Sequence, residues 1–367
     1  MTTQQPRVSV VVVTYNNRDD IDACLRSLWD ADECELIVVD NLSTDGTLDH
    51  VREHYPTVHA VSAGRNGGFG AGVNYGARLA TGTYLAVVNP DAVVEHDWLR
   101  PLIDALETYP RAGLVTPTVL LMGTNDRVNA CGNDVHLTGL TFCAGLNQPA
   151  PPVETPAQPV AAISGAAFAL RRALWEECGG FDERFFMYLE DTDLSLRVRR
   201  MGYEVLHAPA SRVWHRYEVR VSAAKLYHLE RNRLLMLRTN LSTRTLLLLS
   251  PALLLTEALT WAFCVQHGTN YVRAKWRSYC RVWREREVTV VNDALSSHVL
   301  YGDSSILCVM VSCLSIEQLQ GDGPWITMAN SLLTRFYACW RRIAVSTTGM
   351  HGMAPEPVRM AKPAIVP

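Results

Sequence analysis

The first third of the chain alternates short apolar runs with stretches of helical spacing. Four continuous apolar runs, rich in β-branched residues, predict strands that are covered on both faces. They occupy residues 8–13, 36–40, 58–62 and 84–88. Three stretches with helical periodicity lie between them, at residues 21–29, 46–55 and 70–79. This alternation predicts a doubly wound α/β layer with a mainly parallel sheet.

The middle of the chain changes in character. Residues 125–145 are rich in Gly, Asn and Thr and predict a hairpin or loop, and five prolines within residues 147–159 predict a linker. Ordered patterning then resumes, and a helix is expected from Glu190 to Met201. Gly202 follows in the position where a left-handed residue commonly ends a helix.

Beyond residue 222 the pattern is mostly helical. Residues 246–265 form the most apolar stretch and are long enough to cross a bilayer. Pro251 and Glu257 inside the stretch count against a span, which favours a re-entrant, interfacial or core helix and leaves a spanning helix as the alternative. The Gly/Pro-rich tail from residue 347 is predicted to be disordered.

Residues 271–286 predict a basic amphipathic helix. One stripe at helical spacing is apolar, and it comprises Val272, Trp276, Tyr279 and Trp283. The segment contains six basic residues but only one acidic residue, Glu285. The basic residues are Arg273, Lys275, Arg277, Arg281, Arg284 and Arg286. Tryptophans opposite a basic face are typical of an element at a membrane surface. The alternative is a helix that docks on the body of the protein and leaves its arginines in solvent.

Composition narrows the class of protein. The 34 Lys and Arg residues nearly balance 37 Asp and Glu residues, and 48% of the chain is hydrophobic, which fits a globular protein. This excludes a disordered chain and a strongly basic nucleic-acid binder. Ten cysteines without a C-x-x-C pair indicate reduced thiols. Because the first apolar run is too short for a signal peptide, we expect the first half of the protein in the cytoplasm.

Polar side chains gather where the predicted strands end. Thr14 and Asn16 follow the first strand, Asp40 ends the second, and Asn89 and Asp91 follow the fourth. The carboxyl ends of parallel strands form the crevice in which such sheets bind ligands. A carboxylate there can accept hydrogen bonds from a nucleobase or ribose. The Asn-Pro-Asp segment can share Mg²⁺ or Mn²⁺ with a diphosphate, although helix capping and an Asn-Pro turn are the simpler alternatives.

Glycines open the third predicted helix, within residues 65–76. Such glycines let backbone N–H groups approach a phosphate or sugar closely. The spacing Gly70-x-Gly72-x-x-x-Gly76 is similar to a dinucleotide fingerprint and supports an NAD(P)-dependent oxidoreductase as an alternative. The last glycine is displaced by one position, however, and the segment follows the third strand instead of the first.

An acidic cluster starts the predicted helix at Glu190. Bulky apolar neighbours raise a carboxylate's pKa towards working pH, which suits a general base. Because residues two apart on a helix diverge, only one of Asp191 and Asp193 is expected to point into the crevice. The alternative is helix capping with an Asp193–Arg197 ion pair. His215 ends a later predicted strand and is either a ligand or a satisfied core histidine.

The order of eight motifs along residues 7–240 resembles that of family 2 glycosyltransferases of the GT-A fold. The motifs are the valine-rich start, the Asp40 block, Asn-Gly-Gly-Phe-Gly, Asn-Pro-Asp, Ser-Gly-Ala, Gly-Gly-Phe-Asp-Glu, Glu-Asp-x-Asp-Leu and Trp-His. The branch they resemble is that of bacterial rhamnosyltransferases of cell-wall and surface polysaccharide synthesis. The resemblance implies inverting transfer of a sugar from a dTDP- or UDP-sugar, with dTDP-rhamnose favoured. It implies a saccharide or polyprenyl-linked acceptor at the inner face of the cell membrane.

The resemblance also implies roles for individual residues. Nucleotide-binding residues would be Thr14, Asn16 and Asp40, and residues near the donor ribose or diphosphate would be Arg65, Gly68 and Asn74. Asn89 and Asp91 match the metal motif for Mg²⁺ or Mn²⁺, His215 would complete it, and Asp191 matches the catalytic base. Asn89 stands where many relatives have Asp, so weaker metal binding is expected. Retention of Asp91 and Asp191 argues against a non-catalytic nucleotide-sugar-binding protein.

The resemblance over residues 7–240 and the patterning beyond it together predict how the chain divides. We expect a GT-A domain over residues 1–240, with a nucleotide-sugar half over 1–120 and an acceptor half over 160–240. A helical, membrane-associated region over residues 241–346 and the tail over 347–367 would follow.

Overall fold

The computed structural model describes residues 7–29, 34–217, 221–284, 301–315 and 324–348. The strands are β1 (Val8–Thr14), β2 (Cys34–Asp40), β3 (His59–Ser62), β4 (Tyr84–Val88), β5 (Ala92–Val94), β6 (Ala112–Leu121), β7 (Val128–Ala130), β8 (Asn133–Val135), β9 (Thr141–Cys143), β10 (Gln158–Pro159), β11 (Ala167–Arg171) and β12 (Glu204–His215). The helices are α1 (Ile21–Leu28), α2 (Thr47–His54), α3 (Gly68–Leu79), α4 (Leu99–Thr108), α5 (Arg172–Cys178), α6 (Glu190–Arg200), α7 (Ala223–Asn240), α8 (Thr243–Leu248), α9 (Ser250–His267), α10 (Thr269–Arg284), α11 (Asp303–Val309) and α12 (Pro324–Thr348).

A mixed sheet forms the centre of the molecule, in the order β10-β12-β6-β11-β4-β1-β2-β3. β1, β2, β3 and β4 are mutually parallel neighbours, as the alternating pattern predicts. β11 runs antiparallel between β4 and β6, and β5 pairs antiparallel with β12. The α/β prediction is therefore confirmed. The hairpin expected within residues 125–145 is present as β8 and β9.

Successive residues of β1 enter two different cores. Val10 and Val12 pack with α1 and α4 on one face of the sheet. Val11 and Val13 pack with α3, α5 and α6 on the other. A strand covered on both faces needs a continuous apolar sequence, and residues 8–13 supply it.

The glycines of α3 are explained by packing. A Cβ atom on Gly72 would lie 2.5 Å from Val13 Cγ1, and one on Gly76 would lie 2.5 Å from Val11 Cγ1. Only glycine lets α3 lie this close to β1. The spacing that is similar to a dinucleotide fingerprint thus serves helix–strand contact.

The apolar stretch over residues 246–265 forms two helices instead of one. α8 ends at Leu248, and α9 begins at Ser250 with Pro251 in its first turn, where a missing N–H costs nothing. Glu257 lies against Arg233 and Lys275 of the protein itself. Among the described residues, none of the helices combines the length and the apolar character needed to cross a membrane.

α10 docks on the body of the protein through a face other than its apolar stripe. The buried residues are Ala274, Lys275, Ser278 and Val282. The prediction that Lys275 belongs to the charged solvent face is therefore wrong, since its ammonium group reaches Glu230. Trp276 and Trp283 remain exposed. Residues 285 and 286 of the predicted helix, and residues 349–367 of the predicted disordered tail, lie outside the described residues.

Candidate active site

The ends of β1 and β2 are tied together by polar contacts. Asn16 is left-handed, its side-chain Oδ1 accepts a hydrogen bond from Thr44 N at 2.8 Å, and its own N–H donates to Ser43 Oγ at 2.9 Å. Asp40 Oδ2 accepts from Ser43 N at 2.9 Å. Thr14 and Asp40 are both buried at this junction. Asp40 Oδ1 has no hydrogen-bond partner among the described residues, which is the condition expected of an acceptor that awaits a ligand donor.

Gly68 connects this junction to the loop that precedes α6. Asn41 Nδ2 donates to Gly68 O at 2.9 Å. Gly68 has a φ of +85°, and a Cβ atom there would lie 2.0 Å from Phe186 O. The next amide, Phe69 N, donates to the same carbonyl oxygen at 2.8 Å. Gly68 therefore permits a close crossing of two backbones.

Arg65 and Asn74 lie away from the strand ends and contact a different loop. Asn74 Nδ2 donates to Phe181 O at 2.8 Å, and its Oδ1 accepts from Phe181 N at 2.9 Å. The amide thus braces the Gly-Gly-Phe-Asp-Glu loop. Arg65 lies on the surface, 3.5 Å from Glu183 Oε2. The structure brings neither side chain into contact with the residues at the strand ends, and their roles at a ligand stay predictions.

The loop before α6 is held in an unusual conformation. Phe186, Tyr188 and Leu189 have φ values of 64°, 68° and 69°. Bulky residues with positive φ are strained, and such strain persists only where the surroundings impose it. Asn232 on α7 supplies the restraint, because its Nδ2 lies 2.8–2.9 Å from the carbonyl oxygens of residues 185, 187 and 188. This clamp fixes where α6 begins.

Asp191 lies in the first turn of α6 and is partly exposed. Its Oδ2 accepts from Gly165 N at 2.8 Å and from Asn133 Nδ2 at 3.1 Å. Its Oδ1 accepts from Thr192 N at 2.7 Å. These bonds set the carboxylate in one orientation.

Asp193 points the other way. Its Oδ2 lies 2.8 Å from Arg197 Nε, and its Oδ1 accepts from Asn240 Nδ2 at 2.7 Å. The pair is buried, and Arg197 also donates to the carbonyl oxygens of Cys178 and Gly180. The expected Asp193–Arg197 pair is therefore present, and it leaves Asp191 as the acid of the two that is not committed to an ion pair.

Burial changes the acid strength of two adjacent carboxyl groups. Burial raises the pKa of Asp191 above its ordinary value, and hydrogen bonds from Thr192 and Gly165 oppose this only in part. Burial, and then the neighbouring Asp191 charge, raise the pKa of Glu190. Glu190 Oε2 has no hydrogen-bond partner within the described residues. A carboxylate with a raised pKa is a stronger base, which is what proton removal from a hydroxyl requires.

Asn89, Asp91 and His215 meet where β5 pairs with the end of β12. His215 Nε2 lies 3.3 Å from Asp91 Oδ1 and 3.5 Å from Asn89 Nδ2. His215 Nδ1 lies 3.0 Å from Asn129 Oδ1. With Nδ1 as the donor to Asn129 Oδ1, the lone pair of Nε2 would face the two side chains of the Asn-Pro-Asp segment.

This group fits a divalent cation that a ligand helps to hold. Asp91 Oδ1 is buried and lacks a hydrogen-bond partner in the described part of the chain. The other ring nitrogen of His215, Nδ1, lies beside the side-chain oxygen of Asn129, and metal-ligating histidines are commonly oriented by such an oxygen. Nowhere in the described ranges do three or more His, Cys, Asp or Glu side chains form a metal cluster. The group thus brings together one carboxylate and one imidazole, with the amide of Asn89 beside them. The weaker metal binding expected from Asn89 stays a prediction.

One dipeptide connects the acidic side of the crevice to the Asn-Pro-Asp side. Gly165 N donates to Asp191, while Ala166 O accepts from Asn89 N at 2.9 Å. A Cβ atom on Gly165 would lie 3.2 Å from Asp191 Oδ2, so a small residue is favoured there. The Ser-Gly-Ala motif therefore sets the two chemical groups side by side.

Several residues beside the predicted site residues carry no motif. Asn129 and Asn133 belong to a segment predicted only as a hairpin. Lys225 Nζ lies 5.6 Å from the ring centre of Tyr188 and 5.2 Å from that of Tyr217. The chain has only three lysines among its 34 basic residues, and that scarcity is the one signal that could have singled out Lys225.

The chain matches two family models. The model of "Glycosyl transferase family 2" matches residues 9–130. The model of "Glycosyl transferase family group 2" matches residues 84–283, which is more than half of the chain. Together they cover every residue of the crevice described above.

Curated relatives include two rhamnosyltransferases. An N-acetylglucosaminyl-diphospho-decaprenol L-rhamnosyltransferase of Mycobacterium tuberculosis is 31% identical over 231 residues, which cover 56% of this chain and 75% of that protein. Rhamnosyltransferase WbbL of Escherichia coli is 25% identical over 223 residues, which cover 57% of this chain and 83% of WbbL.

A solved structure shares the fold. GalNAc-T7, determined with UDP, GalNAc and Mn²⁺, superposes with a TM-score of 0.52 and 18% identity, over 65% of this chain and 48% of that one. The expected GT-A type of α/β fold is therefore confirmed.

Proposed function

Since the chain belongs to the family 2 glycosyltransferases and is rhamnosyltransferase-like, we propose that it transfers L-rhamnose from dTDP-rhamnose to an acceptor hydroxyl, with inversion at the anomeric carbon. The acceptor is a saccharide, either free or linked to a polyprenyl diphosphate. The product belongs to cell-wall or surface polysaccharide. The family models and the rhamnosyltransferase relatives support the coarser statement, that the chain is a glycosyltransferase of polysaccharide synthesis.

The observation that carries the proposal is the Gly165–Ala166 bridge. It fixes a partly exposed carboxylate, Asp191, on one side and the Asn89–Asp91 segment on the other. An inverting transfer needs one base on the acceptor side and positive charge beside the leaving diphosphate, on opposite sides of the anomeric carbon. Asp191 offers the base, and the Asn89–Asp91 segment would hold the cation that supplies the positive charge. Asp193, the other aspartate in the first turn of α6, is held by Arg197.

The donor side is assigned to the ends of β1 and β2. The unpartnered Asp40 Oδ1 supports contact with a nucleobase or ribose donor group. Thr14 and Asn16 border the same junction. The two rhamnosyltransferase relatives support rhamnose as the transferred sugar, for which dTDP is the proposed nucleotide, and a UDP-sugar is the alternative that GalNAc-T7 suggests.

Asp91 and His215, with Asn89, would hold Mg²⁺ or Mn²⁺. When bound there, the cation supplies positive charge that stabilises the leaving diphosphate. Mn²⁺ is present in the GalNAc-T7 structure, which supports a divalent metal. Mg²⁺ needs only one or two protein carboxylates when phosphate oxygens complete its coordination shell. Binding of the nucleotide-sugar donor is therefore expected to increase the affinity for the metal.

Asp191 acts on the acceptor. Its carboxylate accepts the hydroxyl proton as the acceptor oxygen attacks the anomeric carbon from the face opposite the nucleotide. The hydrogen bonds from Gly165 and Asn133 hold it in place, and burial increases its basicity. The strained loop at residues 186–189 places the start of α6 at the crevice.

The reaction is assigned to the inner face of the cell membrane. The Mycobacterium tuberculosis relative acts on a decaprenol-linked sugar, by its name. An acceptor of that kind keeps its lipid in the bilayer, so peripheral contact of the enzyme with the membrane is part of the proposal.

The proposal is tested by unfolding temperatures with a panel of ligands, with and without Mg²⁺ or Mn²⁺. The panel holds dTDP-rhamnose, UDP-glucose, UDP-N-acetylglucosamine, GDP-mannose and NADH. A ligand at 100 times its Kd adds about 2.7 kcal/mol of stability. We expect stabilisation by dTDP-rhamnose that increases with metal. Stabilisation by NADH alone would overturn the assignment, although the glycine packing of α3 already disfavours it.

A further inference from the structure

Helices α9 and α10 expose large apolar side chains. On α9, Leu254 and Val265 are 70% and 69% exposed, and Ala258 lies between them on the same side. On α10, Trp276 and Trp283 are 64% and 63% exposed. Large apolar groups so fully exposed are uncommon on a protein surface unless that surface meets something.

The two sets belong to one continuous surface. The rings of Trp261 on α9 and Tyr279 on α10 stack with centres 6.0 Å apart and nearly parallel planes. Tyr279 is three residues after Trp276 and four before Trp283, so all three share a side of α10. Trp261 likewise lies four residues before Val265. We call this surface the tryptophan face; it comprises Leu254, Ala258, Trp261, Val265, Trp276, Tyr279 and Trp283.

Arginines border the tryptophan face. Arg273, Arg277 and Arg284 are exposed on α10, on the flank away from its buried side. α10 contains no acidic residue between Thr269 and Arg284, and Glu257, the acid within α9, pairs inward with Arg233 and Lys275. Lys275 is buried and adds nothing to the outer charge. The surface is therefore apolar at its centre and positive at its edge.

We propose that the tryptophan face rests on a lipid bilayer that contains anionic headgroups. Tryptophan rings favour the headgroup level of a membrane, and arginines at the edge attract anionic lipids. A second copy of this chain is a poorer occupant, because pairing the same face would bring two rows of arginines together. The surface lies flat on the bilayer and does not cross it.

α10, which carries part of the tryptophan face, packs on α7 beside the loop that precedes α6. Tyr271 Oη at the start of α10 donates to Val221 O at 2.9 Å, just before α7. Arg277 lies 5.7 Å from the ring of Tyr227, which packs on His228, a neighbour of Tyr188. If the proposed function holds, a lipid-linked acceptor could stay in the bilayer while its sugar reaches Asp191. The tryptophan face thus gives the peripheral contact of the proposed function a definite surface, while the apolar and cationic side chains that make the contact do not require the transfer reaction.

The test is co-sedimentation of the full chain with vesicles, without donor or acceptor. One set is phosphatidylglycerol mixed with phosphatidylcholine, and the other is phosphatidylcholine alone. We expect binding to the anionic vesicles that weakens with salt. The double variant Trp276→Ala/Trp283→Ala should bind about tenfold less, and Arg273→Gln/Arg284→Gln should lose about fivefold per charge. Trp29→Ala, at a tryptophan 47% exposed on the far side of the sheet, is the matched control and should bind like wild type.

Three outcomes would overturn the inference. The first is a wild-type protein that binds neither kind of vesicle. The second is a Trp276→Ala/Trp283→Ala variant that binds like wild type. The third is a wild-type protein that is dimeric in solution while the same variant is monomeric. Unfolding temperatures of all variants separate lost binding from lost folding, since changes at exposed sites are expected to be small. Stabilisation by dTDP-rhamnose, measured on the same variants, reports the proposed function separately.

Discussion

Glu190 and Asp191 are adjacent, yet their surroundings give them different states. Glu190 is buried and its Oε2 lacks a partner within the described residues, whereas Asp191 faces the crevice and accepts hydrogen bonds. Two carboxyl groups this close do not readily carry two charges. A proton held on Glu190 leaves the negative charge on Asp191, where the proposed mechanism requires a base.

Replacing Glu190 by Gln should change how stability depends on pH. The folded protein keeps a proton on Glu190 that the unfolded chain releases above the ordinary Glu pKa of about 4.3. The free energy of unfolding of wild type therefore falls as pH rises from there towards the raised pKa. Glu190→Gln removes this contribution, so its advantage over wild type should grow from mildly acidic to alkaline pH. Urea unfolding at several pH values checks this, and parallel curves for the two proteins would contradict it.

Several site residues were predictable from the ends of buried strands. Thr14 and Asp40 end β1 and β2, Asn89 and Asp91 follow β4, and all four lie at the carboxyl ends of parallel strands. Asn129 gives no such signal, because its partner His215 is 86 residues away and is brought near only by the sheet. Roles at a ligand stay predictions for all of them.

Among the elements, the loop before α6 depends on a single side chain of α7. Asn232→Leu should lower the free energy of unfolding by about 1–3 kcal/mol, because the carbonyl oxygens of residues 187 and 188 lose the donor that Nδ2 supplies, and that of residue 185 keeps only Met187 N. Hydrogen exchange at residues 185–189 should become faster. Asn270→Ala, at an exposed position of α10, is the control and should change stability by less than about 0.5 kcal/mol. Unchanged exchange in the loop would show that Asn232 is not its clamp.

Periodicity of apolar residues predicts the helices and strands of the first half of the chain. It predicts some later elements less well. Residues 190–201 predict α6 to within one residue, because apolar spacing and Gly202 both mark it. The apolar stretch 246–265 gives no sign of its break at Leu249 except Pro251, which fits a first turn as readily as a kink. Apolar character alone does not tell a helix interior from a junction.

For the whole molecule, a buried charge network joins α9 and α10 to α7. Lys275 of α10 meets Glu230 of α7 and lies 3.1 Å from Glu257 of α9. Arg233 lies between the same two acids. Burial raises the pKa of Glu230, but Arg233 and Lys275 outweigh it and lower the pKa overall. The network thus stays charged, and it sets how α7, α9 and α10 pack.

Lys275→Met should therefore destabilise the protein by about 3 kcal/mol or more, since it leaves buried negative charge with too little compensation. Arg273→Met on the exposed side of the same helix is the matched control and should be nearly neutral. The double variant Lys275→Met/Glu230→Gln should recover part of the loss. Chemical unfolding measures all of these. Equal effects of the Lys275 and Arg273 variants would mean that the network contributes little.

For the whole molecule, the sequence predicts the α/β layer but not how α9 and α10 pack on α7. Lys275 looks like one more basic residue in a basic helix, and its acidic partners lie 45 and 18 residues away on other helices. Burial of a lysine depends on such partners, and local patterning does not contain them. The direction that Trp276 and Trp283 face follows from the same contact.

The central claim is that Asp191 is the base of a sugar transfer, and one variant tests it most directly. Asp191→Asn keeps the side chain's shape but cannot accept the hydroxyl proton. With donor, metal and acceptor present, we expect turnover to fall by about 10²–10⁴, while stabilisation by the nucleotide sugar is retained. Turnover within a few-fold of wild type, in a variant that still binds donor, would contradict the account.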